Sequence, residues 1–588
     1  MPVEIYNIPN TPKKPRQREA VQRWMNLDIL TLVLQFVVMG EGRSRFTRSP
    51  YALVSIIWLS HVCRHWRQFI LASASIWSKV IDLTVLGKMK NPLFPVEILS
   101  RSGALASLPL YIYGKIALDQ KIYKTVFLEL LGTQWHRIKV FNVEVQVKNL
   151  QNTGIFHSLW KTGAPILEEF QLGFKSSFNS VNDQSTTLNL FDNHAPYLQI
   201  FSCPRFQFDC SANWVKQVRV LDVGVSVWED LLRWFRAPQD LQQLESLMIT
   251  GPSLLTAWHT EGLESLPQIA LPRLSVLSLR GSLGPLVKLL SKITTSPRCR
   301  LKFSASNDRV RIQDLSRTQL DPVLRSTGAS YFPDDMDELD LLMDRMVFKL
   351  RGQSSAVSKD LQMPTIDFQI HSQNLSLSDE THSHIFRPVI SLWNFNAINR
   401  LRLDVADSHR WSGGKGATST CILFFCLPGL TELGVSFDEL QLLGSAFPRG
   451  MHADYNTEPE TGSAAYAQIL PSLCKIELFS KPRERYIFCE RHAQQTLVDV
   501  LLSHRHQNLK AHHDSGGSHP LKLIKYLDIT EYTRWHRSGI NYTEAFEFLA
   551  QVPGLEVVCR NLEPPRGMGK LNDDEGFLDV LARSTSVI

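Results

Sequence analysis

The stretch "LSHVCRHWRQFILASASIWSKVIDL", Leu59 to Leu83, decides how the rest of the chain is read. It sets Val62, Cys63, Trp66, Phe69, Ile70, Ile76, Trp77 and Ile81 among a few basic and hydroxyl residues. Upstream, "WMNLDILTLVLQFVV" places Asn26, a helix N-cap residue type, before Ile29, Leu30, Val33, Leu34 and Val37 at helical spacing. "GEGRSRFTRSP" interrupts with Gly and Pro, and "YALVSIIWLSHV" and "CRHWRQFILAS" each make two or three turns. "SASIWSKVIDL" follows as a short turn with a strand-like end. Three short helices, apolar on more than one face, cannot cover one another in a module of about 60 residues. The surplus calls for a partner protein.

The wider composition fits that role. The chain has 588 residues, 44% hydrophobic and 20% charged, with a net charge of +6 on 63 cations and 57 anions. That is an ordinary globular balance without the basic stripe a nucleic-acid interface needs. The 9 cysteines are scattered with no C-x-x-C, and Cys421 and Cys426 sit in the apolar "CILFFCLPGL", as unpaired thiols do in a reducing compartment. The apolar run "LDILTLVLQFVVM" carries Asp28 and Gln35 and falls short of the roughly 20 residues of a membrane span, and no segment reads as a secretion signal. The expectation is a soluble chain, cytoplasmic and/or nuclear, that binds neither membrane nor nucleic acid. Residues 1–22, with "NTPKKPRQR", read as a disordered basic tail.

Beyond the helices the chain repeats an apolar-x-x-apolar-x-apolar pattern. It appears as "IKVFNV" from Ile138, "LEEFQL" from Leu167, "LQIFSC" from Leu198, "VRVLDV" from Val218, "LESLMI" from Leu244 and "LSVLSL" from Leu274. It returns as "INRLRL" from Ile398, "LTELGV" from Leu430, "LCKIEL" from Leu473 and "IKYLDI" from Ile524, and fades in "LEVVCR" from Leu555. The first copies are 29, 31, 20, 26 and 30 residues apart, and the later ones 32, 43 and 51. A proline step precedes several: "GAPILEEF", "HAPYLQIF", "LPRLSVL", "LPGLTEL", "LPSLCKI", "VPGLEVV". Proline cannot donate to a ladder and suits the start of a strand. Helical runs such as "SVWEDLLRWF" and "GPLVKLLSKI" lie between. A strand and a helix recurring every 20–30 residues is the mark of a leucine-rich solenoid, each unit covering the next. Residues 304–397 fit least: "FPDDMDELDLLMDRM" reads as an acidic helix, "RMVFKLRG" and "PTIDFQIHS" as strands, and "RGQSSAVSKD" as a loop.

The N-terminal residues resemble an F-box. The family's "LP-x-E-I-L" stands here as Met25, Asn26, Leu27, Asp28, Ile29, Leu30, with Asn26 and Asp28 in place of Pro and Glu. Its "VC-x-x-W" is Val62, Cys63 and Trp66, and its "LW" plus strand is Ile76, Trp77, Val80 and Ile81. "LSHVCRHWRQFILASASIWSKV" is similar to the version common in mushroom-forming fungi, and "ILSRSGALASLPLYIYG" and "LPRLSVLSLRGSLGPLVKLLSKI" resemble the region that follows it there. The expected fold is α/β: an F-box helical module at 23–83, then an irregular leucine-rich-repeat-like solenoid. The solenoid comprises 84–303, divergent or inserted repeats at 304–397, and 398–588 with a C-terminal cap.

The resemblance implies a non-catalytic receptor subunit of a Skp–cullin–F-box ubiquitin ligase, in which the helices bind the Skp-type adaptor, and through it the cullin, and the solenoid binds a protein substrate. The alternative is a repeat scaffold, or an adaptor-bound protein with no ligase role. The expected adaptor face comprises Ile29, Leu30, Val33, Leu34, Val62, Cys63, Trp66, Ile70 and Trp77. The expected substrate face comprises Glu168, Gln171, Arg219, Asp222, Glu245, Arg400, Arg402, Lys475 and Glu477 at the x positions of the strands. No catalytic residue, metal or cofactor is expected. "WSGGKGATST" lacks phosphate-loop spacing, no G-x-S-x-G occurs, and "SHRHQNLKAHHDSGGSHP", with His504, His506, His512, His513 and His519, reads as an exposed loop.

Overall fold

A computed structural model describes residues 27–39, 52–88, 94–103, 108–117, 132–146, 161–175, 189–204, 208–209, 211–224, 241–251, 266–296, 299–307, 336–343, 347–353, 366–372, 395–405, 423–424, 426–436, 439–440, 470–479, 491–514, 523–529, 549, 552 and 554–558. The basic tail, Asn26, "GEGRSRFTRSP", "SVWEDLLRWF", "WSGGKGATST", His519 and the C-terminal cap lie outside these residues. The chain forms two compact units. Unit 1 is Met1–Ser226 with Gln239–Leu244, and unit 2 is Val227–Pro238 with Glu245–Ile588.

Unit 1 opens with helices α1 Leu27–Met39, α2 Ala52–Leu59, α3 Arg64–Ala72 and α4 Ala74–Trp77. Strand β1 Ile81–Asp82 leads into α5 Leu83–Leu86, then α6 Phe94–Arg101 and strands β2 Leu110–Ala117, β3 Ile138–Gln146, β4 Glu169–Lys175, β5 Ile200–Cys203 and β6 Val220–Gly224. These strands pair in that order, all parallel. Register aligns Ile112, Phe141, Phe170, Phe201 and Leu221 in one buried row. Each of the last four is the fourth residue of its pattern copy. In-register strands lie about 4.8 Å apart, and the rings use that spacing: Phe141 and Phe170 stack at 5.4 Å, Phe170 and Phe201 at 5.7 Å. Phe191 meets Phe170 of this row edge-on, and Trp214 packs tilted against Phe201 and edge-on against Phe191. Gly114, at φ +113, lets β2 approach α5: a Cβ there would meet Asp82 Oδ1 and Thr84 Oγ1 at 2.7 Å.

Unit 2 contains β7 Ser246–Thr250, β8 Ile269–Leu271, β9 Val276–Ser282, α7 Leu283–Leu290, β10 Ile293–Thr295 and β11 Arg300–Asn307. It continues with β12 Glu338–Met343, β13 Val347–Gln353, β14 Ile366–Ser372, β15 Arg400–Val405, β16 Glu432–Val435, β17 Lys475–Leu478, α8 Arg491–Asp514, β18 Tyr526–Asp528 and β19 Glu556–Val558. The main sheet runs β7–β9–β11–β14–β13–β12–β15–β16–β17–β18–β19, while β8 and β10 form a separate parallel pair. It is parallel except at β13, which runs antiparallel to both β12 and β14. Leu339, Leu401, Leu433, Ile476 and Leu527 align in a buried aliphatic row. In the last copy Val557 takes this row, one residue earlier than the pattern places it. Glu439, fully buried, accepts backbone N–H bonds from Val405 at 2.8 Å and Ser436 at 2.5 Å, joining the ends of β15 and β16.

The proline steps are turns that deliver the chain to a strand. Leu167 N donates to Ala164 O, Leu198 N to Ala195 O, Leu274 N to Leu271 O, Leu430 N to Leu427 O and Leu473 N to Leu470 O. In each, proline occupies the second of four turn residues, where its fixed φ is required.

Two expectations are corrected here. Residues Glu338–Met343 form a strand, not an acidic helix: Leu339 and Leu341 point inward while Glu338 and Asp340 face out, a period of two. The His-rich stretch is helical as far as Asp514. Leu497, Leu501, His504 and Asn508 recur at helical spacing on its buried side. His504 Nε2 meets Leu470 O at 3.1 Å, and the Asn508 amide donates to His504 O at 3.1 Å.

Candidate functional site

Two surfaces carry the side chains singled out by the sequence. The first is on the N-terminal helices. α1 has two apolar stripes one helical step apart. Leu30, Leu34 and Val38 are buried, whereas Ile29 (50% exposed), Leu32 (64%), Val33 (38%) and Phe36 (57%) face out at i, i+3, i+4, i+7. At the α2–α3 corner Trp58 is 71% and Val62 62% exposed. Cys63 caps α3, its Sγ accepting from Trp66 N at 3.4 Å, and both residues are half-buried.

Leu30, Leu34, Ile70 and Trp77, assigned to the adaptor face by sequence, lie instead inside the module. Trp77 Nε1 donates to Ile70 O at 2.8 Å, and Arg101 sits 5.7 Å over its ring. Spacing alone does not say which of two apolar stripes turns inward. The same ambiguity hid Leu32, Phe36 and Trp58, which the helical pattern contained.

The second surface is the outward face of the sheets. In unit 1 it carries a row of neutral and acidic hydrogen bonds beside one ion pair, Lys115 with Glu144 at 2.7 Å. Asn142 donates to Gln171 at 3.0 Å, and Ser202 Oγ donates to Asp222 at 2.7 Å. Burial raises the Asp222 carboxyl above its ordinary value, and the Ser202 bond partly opposes this. Glu168 lies just before β4, paired with Lys139 at 2.9 Å, and Arg219 takes the same place before β6.

In unit 2 the face is ionic. Arg400 reaches Glu477 at 3.2 Å, Glu338 at 3.5 Å and Glu432 at 3.8 Å. Lys475 reaches Glu432 at 3.4 Å and Asp528 at 3.9 Å. Partial burial pulls the Arg400 guanidinium down, but Glu477, Glu338 and Glu432 together outweigh it and hold it above its ordinary value. Arg402 lies 4.4 Å over the Phe479 ring. Gly434 stands between Arg402 and Glu477 in the register and supplies no side chain there. That gap opens a pocket of about 130 Å³ lined by Arg400, Arg402, Glu338, Asp340, Glu477 and Phe479, among others.

Thus four of the expected substrate residues, Arg400, Arg402, Lys475 and Glu477, converge in unit 2. Gln171 and Asp222 share one row in unit 1. Glu168, Arg219 and Glu245 are the second residues of their copies and precede the strands, apart from these rows. Glu338, Asp340 and Phe479 were missed: the first two through the helix reading of β12, the third because it follows its strand.

Burial pushes the Cys299 thiol up to about 12, so it stays protonated. Among the described residues no group of three or more His, Cys, Asp or Glu is placed to hold a metal ion, and no helix is long and apolar enough to cross a membrane. No protein-family model matches the chain, and no curated protein matches it.

Proposed function

We propose that the chain is the substrate-receptor subunit of a Skp–cullin–F-box type ubiquitin ligase. On this reading α1–α4 are the F-box that docks on a Skp-type adaptor, and the repeated strands are irregular leucine-rich-repeat-like turns of a solenoid whose outward face holds a protein substrate. Ligation chemistry belongs to the partners, and this chain supplies proximity. The observation that carries the reading is the outward stripe Ile29, Leu32, Val33 and Phe36, with Trp58 and Val62 also open. Apolar residues at helical spacing on the solvent side are the form a helix-in-groove contact takes. The in-register inner rows and the proline turns support the repeat reading. The resemblance of "VCRHW" and "SIW" to the family motif names the partner. The protein would work in the cytoplasm, the nucleus or both.

Capture by a purified Skp-type adaptor is the test. Phe36→Asp and Trp58→Asp change exposed residues, which typically shifts stability by less than about 0.5 kcal/mol, so they should abolish capture while leaving the melting temperature unchanged. Undiminished capture, or none by the parent protein, sinks the F-box reading. Parent capture without cullin would leave an adaptor-bound protein outside a ligase.

A further inference from the structure

The outward face of the unit 2 sheet is sorted by sign. On β9, β11 and β13 its charged residues are Arg280, Arg300, Lys302, Lys349 and Arg351. Register knits them into one field: Arg280 lies opposite Ser304, Lys302 opposite Asp367, Asp367 opposite Arg351 and Gln369 opposite Lys349. Asp367 is the one carboxylate among the described outward residues of these strands and β14. It is buried, already holding Arg351 at 3.4 Å and the Gln369 amide at 2.5 Å. The cations crowd one another. Partial burial and then Arg351 push Lys349 below its ordinary value, Lys302 adds to this, and Asp367 and Asp340 only partly oppose it.

At β12 the sign changes. From there outward Glu338, Asp340, Asp404, Glu432, Glu477 and Asp528 outnumber Arg400, Arg402 and Lys475, and those three cations are already engaged: Arg400 and Lys475 in ion pairs, Arg402 over Phe479.

We propose that this face binds an extended segment of a partner protein whose charge reverses along its length, an acidic stretch over β9–β11–β14–β13 continuing into basic residues over β12–β15–β17. The proposal rests on the receptor reading of the sheet and names the class of segment it takes. Charge complementarity selects a peptide. β11 to β15 spans four strand spacings, roughly 19 Å at about 4.8 Å each, which an extended peptide crosses in about six residues. A peptide can change sign over that length. A nucleic acid cannot, and its phosphates would fall within a screening length, about 8 Å, of the carboxylates past β12.

The test uses the full chain and fluorescence anisotropy with three probes: a peptide of six glutamates followed by six lysines, a peptide of the same composition with the two residues alternating, and a single-stranded oligonucleotide. The block peptide should bind roughly tenfold or more tightly than the alternating one. Arg300→Glu with Lys302→Glu should weaken it by a similar factor. Lys302→Gln, which keeps the shape of the face, should weaken it less but measurably, with an unchanged melting temperature. Equal binding of the two peptides, an affinity indifferent to both variants, or tighter binding of the oligonucleotide overturns the proposal. Adaptor capture is measured separately. Peptide binding without capture keeps this inference and removes the ligase, whereas capture without peptide binding does the reverse.

Discussion

The two units use one strand rule with different materials. In unit 1 the inner row is Phe141, Phe170 and Phe201, stacked ring on ring, and the outer row is the uncharged bond of Asn142 to Gln171 with the Ser202–Asp222 pair. From β12 to β18 of unit 2 the inner row is Leu339, Leu401, Leu433, Ile476 and Leu527, and the outer row is an ion-pair lattice around Arg400, while on β11 and β14 the buried Phe303 and Phe368 stack at 4.8 Å. The inner position must be apolar for the strands to stack, but either ring or branch serves. The outer position is unconstrained by the fold, so it is where the units can acquire different partners.

The largest expected effects lie in the inner rows. Phe170→Ala should cost about 3–5 kcal/mol and Leu433→Ala about 2–5 kcal/mol, each read by hydrogen exchange as faster opening of its own unit. The sharper pair is Phe170→Leu against Leu433→Phe. The first keeps most apolar area and loses stacking, about 0.5–1.5 kcal/mol per ring pair. The second overfills a close-packed row, about 1–3 kcal/mol. If Phe170→Leu is neutral, the aromatic row is no more than generic core and the contrast fails.

A pH difference follows next. Burial lowers the His504 pKa from its ordinary 6.5, so the unfolded chain takes up the proton first as pH falls. Stability in unit 2 is therefore intact above about 6.5 and is lost below it, by at most about 1.4 kcal/mol per pH unit. Asp222 in unit 1 has the opposite sense. Its raised pKa means that stability declines as pH rises above the ordinary carboxylate value of 3.8 through the folded value. Protection factors in α8, which divide out the intrinsic pH dependence of amide exchange, should fall between pH 7.5 and 5.5 and hold constant over that range in His504→Gln. Unchanged protection factors in the parent would remove the histidine as an anchor of α8 on the Leu470 turn.

How much of this was legible depended on whether burial left a period. Phe141, Phe170, Phe201 and Leu221 were found because every copy repeats a buried position, and register places them in one row. β11, "RLKFSASN", was missed because small and polar residues blur its alternation, and β2, "LYIYGKIA", because Pro109 and Gly114 stand at the first and sixth positions of its copy, where the pattern needs apolar side chains. In β12 the density of acids drew attention from the alternation of Leu339 and Leu341. In α8 the histidines and the nearby glycines suggested a loop, although Leu497, Leu501, His504 and Asn508 already had helical spacing. The candidate surfaces were less legible. The side of α1 that faces out, the gap at Gly434 and the change of sign at β12 depend on which strands become neighbours, and β14–β13–β12 meet in reverse chain order.

The smallest stability effect is expected where the most ion pairs converge. Arg400 touches three carboxylates, so its loss looks severe on the page. Yet its side chain is 45% exposed and those of Glu432 and Glu338 are 38% and 27%, and water already screens such pairs. Arg400→Ala should cost no more than about 1 kcal/mol, with the deficit shrinking as salt is added. Its effect on binding should differ in kind. Without Arg400, Glu338, Glu432 and Glu477 face one another with Lys475 as the remaining cation of that lattice, and the acidic half becomes more acidic. A segment whose basic residues lie there should bind more tightly, and one with acidic residues there more weakly. Fluorescence anisotropy with the block peptide, which puts lysines over this half, reads the first case, and thermal melting reads the stability. A loss of several kcal/mol would mean that the lattice holds unit 2 together. That would erase the distinction between an inner row that makes the fold and an outer row left to partners.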